Sequence, residues 1–414
     1  MSAAPAWPQR AGAAALETAA GNGVCHPLGF TAGVAACGMK RSGKSDLSLL
    51  HSERPATAAG VFTTNRMVAA PVTVSRAQIH SGTAQAVVTN AGCANACTGE
   101  AGRRDAWAMV SAAARSLGVP ESEVLVASTG VIGTRLPIAD VVAGIGRAAA
   151  ALGRRRGAAA AHAIRTTDAF AKVAQRDVQL AGGTVRIGGM AKGAGMIRPD
   201  MATTLAQVTT DAAVPAPVLR RMLRDAVAGS FNAISVDGCT STNDCVFVLA
   251  NGASGVTIEN SADRRRLSRA LAEVTLDLAK QVVRDGEGAT RVCTYTVTGA
   301  LTAPEARSAA LAVAENVLVK CALHGADPNW GRILAALGAS GVHLDPGLVS
   351  VSVGGVEIVH AGAGVPGIED EAALALSGDE VEIAIDLGVG HGRATVIASD
   401  LSPDYVAFNA GVTT

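Results

Sequence analysis

Apolar positions recur along this chain with two periods. Short β-branched runs and alternations of period two mark strands. They fall at 58–64, 72–75, 86–90 and 124–129, then at 185–191, 245–252, 293–300, 349–360, 381–390 and 393–402. Helical spacing predicts helices over 104–117, 139–152, 216–227, 264–284 and 305–324. Residues 200–204 sit just before a further strand-like run. No solenoid repeat is present. Strands and helices mix without regular βαβ spacing. The pattern therefore predicts an α+β fold of layered sheets and helices, not a doubly wound nucleotide fold.

Composition narrows the function more than the fold. With 414 residues and 49% hydrophobic content, the chain can bury a large core in two or more lobes. Thirty-five basic and thirty-five acidic residues cancel, and aromatics make up only 3%. That argues against a nucleic-acid or anionic-membrane surface and against base-stacking platforms. No window reaches the roughly 18 apolar residues of a membrane span. The alanine-rich start, interrupted by Glu17, reads as a loose leader and not as a signal peptide. The eight cysteines form no CxxC and have no zinc-finger histidine spacing. They are expected to be free thiols in a reducing compartment.

Candidate chemistry lies in a few polar, glycine-bearing segments. Residues 38–45, GMKRSGKS, fit the phosphate-loop pattern to the letter. A working loop needs a hydrophobic strand before it and a long helix after it. Here Pro55 leaves room for only a short helix, so the match is treated as a decoy. Residues 127–133, ASTGVIG, end a buried strand in a turn where the Thr129 hydroxyl and the Gly130 N–H could aim at one point, as an oxyanion hole requires. A plain cap by Thr129 is the alternative. Thr166–Thr167–Asp168 puts two hydroxyls and a carboxylate in tandem, with a cap or turn as the alternative, and Glu287 lies between two glycines that let backbone approach closely, with a surface-loop glutamate as the alternative. The segments 237–244 and 325–332 read as scaffolding turns. The polar C-terminus is expected to fray. In KGAGMIRPDMATTL, residues 192–205, Ala202 precedes Thr203 in a glycine-rich stretch. Cutting that bond would place an α-amine beside the threonine hydroxyl, and the amine can take the hydroxyl proton. A turn before a half-buried strand is the alternative for this segment.

These segments, in this order, resemble the ornithine acetyltransferases (glutamate N-acetyltransferases) of arginine biosynthesis. The matching stretches include GFTAGVAACGMKRSGKSDLSLL, TNAGCANACTG, STGVIG, TTDAFAK, GGMAKGAGMIRPDMATTL, SFNAISVDGCTSTNDCV, DGEGATR, HGADPNWGRI and SDLSPDYVAFNAGVTT, from about Gly29 to the C-terminus. The resemblance implies an N-terminal-nucleophile-like fold that cuts itself between Ala202 and Thr203. The products would be an α chain, 1–202, and a β chain, 203–414, headed by the nucleophile Thr203. Thr129 and Gly130 would form the oxyanion hole. Thr166, Lys192, Thr203, Glu287, Asn409 and Thr414 would contact substrate.

The implied reaction moves acetyl from N-acetylornithine to glutamate through an acetyl-threonine, without metal or organic cofactor. Acetyl-coenzyme A is left open as a further donor. A cytoplasmic assembly of two α and two β chains, without nucleic-acid or membrane partners, goes with it. Cys93 and Cys239 replace the family's usual Asn and Asp, and the chain end lacks the usual Asp-Tyr pair. These departures bear on substrate preference, which extends to a relative of secondary metabolism. A hydrolase or aminopeptidase using the same nucleophile is the alternative activity. A catalytically dead binding module is the alternative from outside enzymes.

Overall fold

In the computed structural model, which describes residues 21–198 and 204–411, the alternating segments become strands of two sheets. The first sheet contains β1 (Phe30–Ala35), β2 (Leu47–Phe62), β3 (Thr83–Cys93), β4 (Val124–Val131), β5 (Lys172–Leu180), β6 (Gly183–Lys192) and β7 (Leu205–Thr210). The short β8 (Ile234–Ser235) belongs to the second sheet, and β9 (Cys245–Ala250) returns to the first. The spatial order in the first sheet is β4-β3-β2-β9-β7-β6-β5, with β1 paired to β2. The second sheet holds β10 (Val292–Ala300), β11 (Ser350–Val353), β12 (Val356–His360), β13 (Ala363–Gly364), β14 (Glu380–Asp386) and β15 (Gly392–Ser399). Its order is β13-β12-β11-β14-β10-β15-β8. Both sheets mix parallel and antiparallel pairs.

Helices cover these sheets because their apolar stripes need a partner surface. Ser261–Arg284 and Ala216–Ala228 lay Leu271, Val274, Leu278, Leu219 and Leu223 against Ile187, Val208 and Val248. Gly99–Leu117 and Ile138–Ala150 pack Met109, Val110, Val141 and Ile145 with Leu47, Leu49, Val88 and Val126. Ala303–Ala314, Val317–His324, Trp330–Gly338 and Glu369–Ala375 close the second core around Tyr295, Val297, Ile383 and Val396. Among the described residues, no helix is long and apolar enough to cross a membrane.

Two expected elements differ from the pattern. Residues 72–75 lie in the helix Ala70–Gln78, not in a strand. Pro71 stands in the first helical turn, where its missing N–H costs nothing, and the buried set Pro71, Val72, Val74 and Ser75 has helical spacing. A window of four residues was too short to separate the two periods. The single helix expected over 305–324 breaks at Asn316, whose side chain accepts hydrogen bonds from the N–H groups of Leu318 at 3.0 Å and Val319 at 3.2 Å. That cap starts a new helix.

The phosphate-loop match is a decoy in the structure as well. Residues 38–45 lead into the sixteen-residue strand β2, not into a helix. The backbone donors that would cradle a phosphate are taken by the chain itself. The Asp46 carboxylate accepts from the N–H groups of Cys37 and Met39 at 2.7 Å each and from Lys40 at 3.1 Å. A buried internal anion thus fills the nest.

Candidate active site

A cavity of about 530 Å³ opens where the ends of β4 and β6 meet the loop before β10 and the last helix, Pro403–Gly411. Thr129, Gly130, Thr166, Lys192, Glu287 and Asn409 all line it. Six residues from five distant segments are thereby brought to one space. Ala202, Thr203 and Thr414 lie outside the described residues. The strand that follows Thr203 is central: Leu205 of β7 pairs with Lys192 of β6 on one side and Cys245 of β9 on the other.

The Thr129–Gly130 turn owes its shape to a close approach of backbones. β3 and β4 run parallel with Gly92 opposite Gly130. Gly130 has φ +132°, and a Cβ there would lie 2.2 Å from the Gly92 carbonyl carbon. Only glycine meets both demands. The turn is then pinned from the loop before β9: Asn243 donates through Nδ2 to the carbonyls of Ala94 at 2.6 Å and Ser128 at 2.8 Å. Ser128 Oγ donates to Asn90 Oδ1 at 2.5 Å. Thr129 Oγ1 accepts from Lys192 Nζ at 3.3 Å. An ammonium is a donor only, so the Thr129 proton is free to point elsewhere. Accepting a charged hydrogen bond also strengthens the hydroxyl as a donor.

Lys192 is 4% exposed and stands in a buried set of charges. Burial pushes its ammonium below the usual lysine value, and Asp168, Glu287 and Asp244 offset part of that. Asp168 lies 3.9 Å from Lys192 and 2.7 Å from Lys172. Burial would raise the Asp168 carboxyl, but Lys172 and Lys192 hold it far below the ordinary range. Lys172 also bonds Asp285 at 2.6 Å. Asp244 is buried next to the start of β7. Burial pushes its carboxyl well up, against the pull of Lys192, the Thr204 N–H and the hydroxyls of Ser241 and Thr63.

Glu287 reaches the cavity because two glycines make room. A Cβ on Gly195 would lie 2.4 Å from Glu287 Oε2, so the carboxylate packs directly on that backbone. Gly288, at φ +70°, lets the last helix come close: a Cβ there would meet Tyr405 N at 2.5 Å. Ser402 Oγ donates to the Gly288 carbonyl at 2.6 Å. This docking brings Asn409 Nδ2 to 3.0 Å from Glu287 Oε2. Burial raises the Glu287 carboxyl, while hydrogen bonds from Thr167 and Asn409 lower it. The C-terminal segment is helical through Gly411, and residues 412–414, where the chain was expected to fray, lie outside the described residues.

Other residues on the cavity wall carried little signal in the sequence. Lys40 and Arg41 come from the phosphate-loop decoy. Asp237 accepts from Met196 N at 2.5 Å and Ile197 N at 2.9 Å, holding Met196 at φ +59° on the wall. Cys239, Ser241, Thr242 and Asn243 also line it, so segment 237–244 is the scaffold expected. None of residues 325–332 lines the cavity.

Comparison with known proteins follows the same residues. The arginine biosynthesis bifunctional protein ArgJ of Symbiobacterium thermophilum is 50% identical over 403 residues, covering 96% of this chain and 100% of that protein. The protein of the same name from Geobacter sulfurreducens is 46% identical over 385 residues, covering 92% and 98%. Among solved structures, the bifunctional protein argJ of Bacillus halodurans shows 38% identity over 49% of this chain and 97% of that chain, with a TM-score of 0.48. Ornithine acetyltransferase of Mycobacterium tuberculosis, solved with ornithine, shows 41% identity over 44% and 96%, with a TM-score of 0.40. The ArgJ family as a whole matches residues 31–414, and with relatives of this identity along nearly the full length, this chain belongs to the ArgJ family.

Proposed function

We propose that this acyltransferase of arginine biosynthesis moves an acetyl group from N2-acetylornithine to glutamate through an ester on Thr203, after cutting itself between Ala202 and Thr203. One observation carries the reading. The six described residues that the family resemblance assigns to the site, though far apart in sequence, line one cavity, and Lys192 hydrogen-bonds Thr129 there.

In maturation the Thr203 hydroxyl oxygen attacks the Ala202 carbonyl carbon. A C–O bond forms, the C–N bond breaks, and the hydroxyl proton ends on the freed nitrogen. Water then hydrolyses the ester, leaving chains 1–202 and 203–414. The new α-amine has an ordinary pKa of about 7.7–8.0. A cationic Lys192 nearby lowers it and keeps a neutral base available. In turnover the amine takes the hydroxyl proton as the oxygen attacks the acetyl carbon. The Thr129 hydroxyl and Gly130 N–H meet the oxyanion, each donor being worth roughly 2.7–4 kcal/mol in such sites. The amine proton passes to the departing ornithine nitrogen. The α-amine of glutamate then attacks the ester and releases N-acetylglutamate, restoring Thr203 by the reverse proton path. Thr166, Lys192, Glu287, Asn409 and Thr414 hold the substrates. No metal or organic cofactor enters a step, and two α and two β chains form the assembly.

The test is an intact-mass measurement combined with a donor and acceptor panel on the pure protein. Two chains and glutamate-dependent release of ornithine are expected. Acetylornithine with water alone separates a hydrolase, and acetyl-coenzyme A with glutamate tests the further donor. A single uncut chain of 41.3 kDa that transfers no acetyl group would overturn the proposal.

A further inference from the structure

We propose that Asp168 is the positioning residue of this site: it fixes Lys192 against the Thr129 hydroxyl and ties the Thr166 loop to the end of β6. The inference rests on the acetyl-transfer reading above. The Asp168 side chain is fully buried, and both its oxygens are engaged. Oδ1 accepts from Lys172 Nζ and from Gly193 N, each at 2.7 Å. Oδ2 accepts from Thr166 N at 2.9 Å and faces Lys192 Nζ at 3.9 Å. One carboxylate thus joins the backbone beside two cavity-lining side chains and supplies a nearby countercharge to one of them.

Lys172 would neutralise Asp168 if it had no other partner. It is shared: Lys172 Nζ also bonds Asp285 Oδ2 at 2.6 Å, and Asp285 accepts from Ala169 N at 3.0 Å. The division leaves Asp168 with charge to spend on Lys192. Lys192 makes a single hydrogen bond among the described residues, to Thr129, and keeps donors for a substrate carboxylate or an oxyanion. The other charges facing it are Glu287, Asp244 and Lys172, with Lys40 beyond. Lys40 itself sits near Asp168 and Arg165, and burial lowers it to about 8. Among the described residues, Asp168 is the one anion within ion-pair distance of Lys192.

The experiment follows the pH dependence of ornithine release from N-acetylornithine. A site that works only with Lys192 charged should show a basic limb as that residue loses its proton. Asp168→Asn removes the near countercharge while keeping the shape, and the limb should move to lower pH by about one unit or more. Asp285→Asn removes a buried charge from the far side of Lys172 and acts on Lys192 only through the shared Lys172, so it should move the limb in the same direction but by clearly less. Asp168→Glu restores the charge and should bring the limb back. A limb unmoved in Asp168→Asn, or moved equally in Asp285→Asn, would overturn the inference and leave a merely structural salt bridge.

If Asp168→Asn yields no folded protein, Lys172→Met asks the same question with opposite sign. Removing the competing cation should move the limb to higher pH, and an unmoved limb again overturns the inference. A wild type that transfers no acetyl group would instead sink the proposed function itself.

Discussion

Gly92 and Gly130 face each other across the parallel β3–β4 pair, so close that a Cβ on Gly130 would sit 2.2 Å from the carbonyl carbon of Gly92. The turn that carries Thr129 into the cavity exists because neither residue has a side chain.

Gly130→Ala should therefore both destabilise and inactivate. The φ of +132° alone costs about 1–3 kcal/mol for a residue with a Cβ, and the clash adds to it. Thermal melting together with acetyl-transfer rates checks this. A variant of normal stability and activity would show that the turn does not need the close approach.

Thr129→Val keeps the volume and removes the hydroxyl that accepts from Lys192. Turnover should fall roughly 10²–10³-fold, the usual loss for one oxyanion donor, with Thr129→Ser recovering most of it. Steady-state kinetics with saturating acetylornithine decides between this and a purely structural role, in which Val would be tolerated.

Gly288→Ala should push the helix Pro403–Gly411 away, because Tyr405 N lies where the new methyl must go. Asn409 then leaves Glu287. We expect KM to rise several-fold while the folded core keeps its melting temperature to within a few degrees. An unchanged KM would mean that the docked helix does not serve substrate binding.

Asp46→Ala strands the N–H groups of Cys37, Met39 and Lys40, of which only that of Cys37 is in a buried hydrogen bond. Leaving a buried donor unpaired costs about 1–3 kcal/mol, so a loss of about that size is expected in denaturant titrations. ATP should not raise the melting temperature of the wild type, since the nest is already filled.

Asp244 gives a pH dependence with a definite sign. Its carboxyl is raised well above 3.8 by burial, so the folded chain holds the proton more tightly than the unfolded chain does. That contribution is fully present below pH 3.8 and is lost as pH rises toward the folded value. Asp244→Asn removes the dependence. Its stability relative to wild type should therefore grow between pH 4 and pH 8 in chemical denaturation. A difference independent of pH would place a charged carboxylate in the folded state.

Much of the site was legible because its residues carry local signals. A strand exit ending Ser-Thr-Gly, a glutamate between glycines, and a lysine before Gly-Ala-Gly each mark a place where backbone and polar groups must come close. The supports were not legible. Lys172 and Asp285 are 113 positions apart, and only the packing of the helix Ser261–Arg284 on β5 brings them together. Asp237 looks like any turn residue until its carboxylate is seen holding Met196 and Ile197. The five expected helices and most expected strands followed their periods, but the short helices Gly157–Ala163, Trp330–Gly338, Glu369–Ala375 and Pro403–Gly411 and the strands β1 and β5 were not expected. The expected elements that changed were decided by a proline at a helix start and by an asparagine cap, which act over one turn and escape a count of apolar residues. Nor did any local signal show that Gly288 and Ser402 would dock the helix Pro403–Gly411.

The strand order of the first sheet has a consequence for a broken chain. Strands β9 and β7, from beyond Thr203, lie between β2 and β6, which precede it. A cut at Ala202–Thr203 would leave two polypeptides woven into one sheet, joined by six residue pairs along β2–β9 and six along β6–β7. Neither product could depart without unzipping both seams and uncovering the core between them. The scission would free one amine and give local slack at a single point, while the two pieces went on melting, and working, as one body.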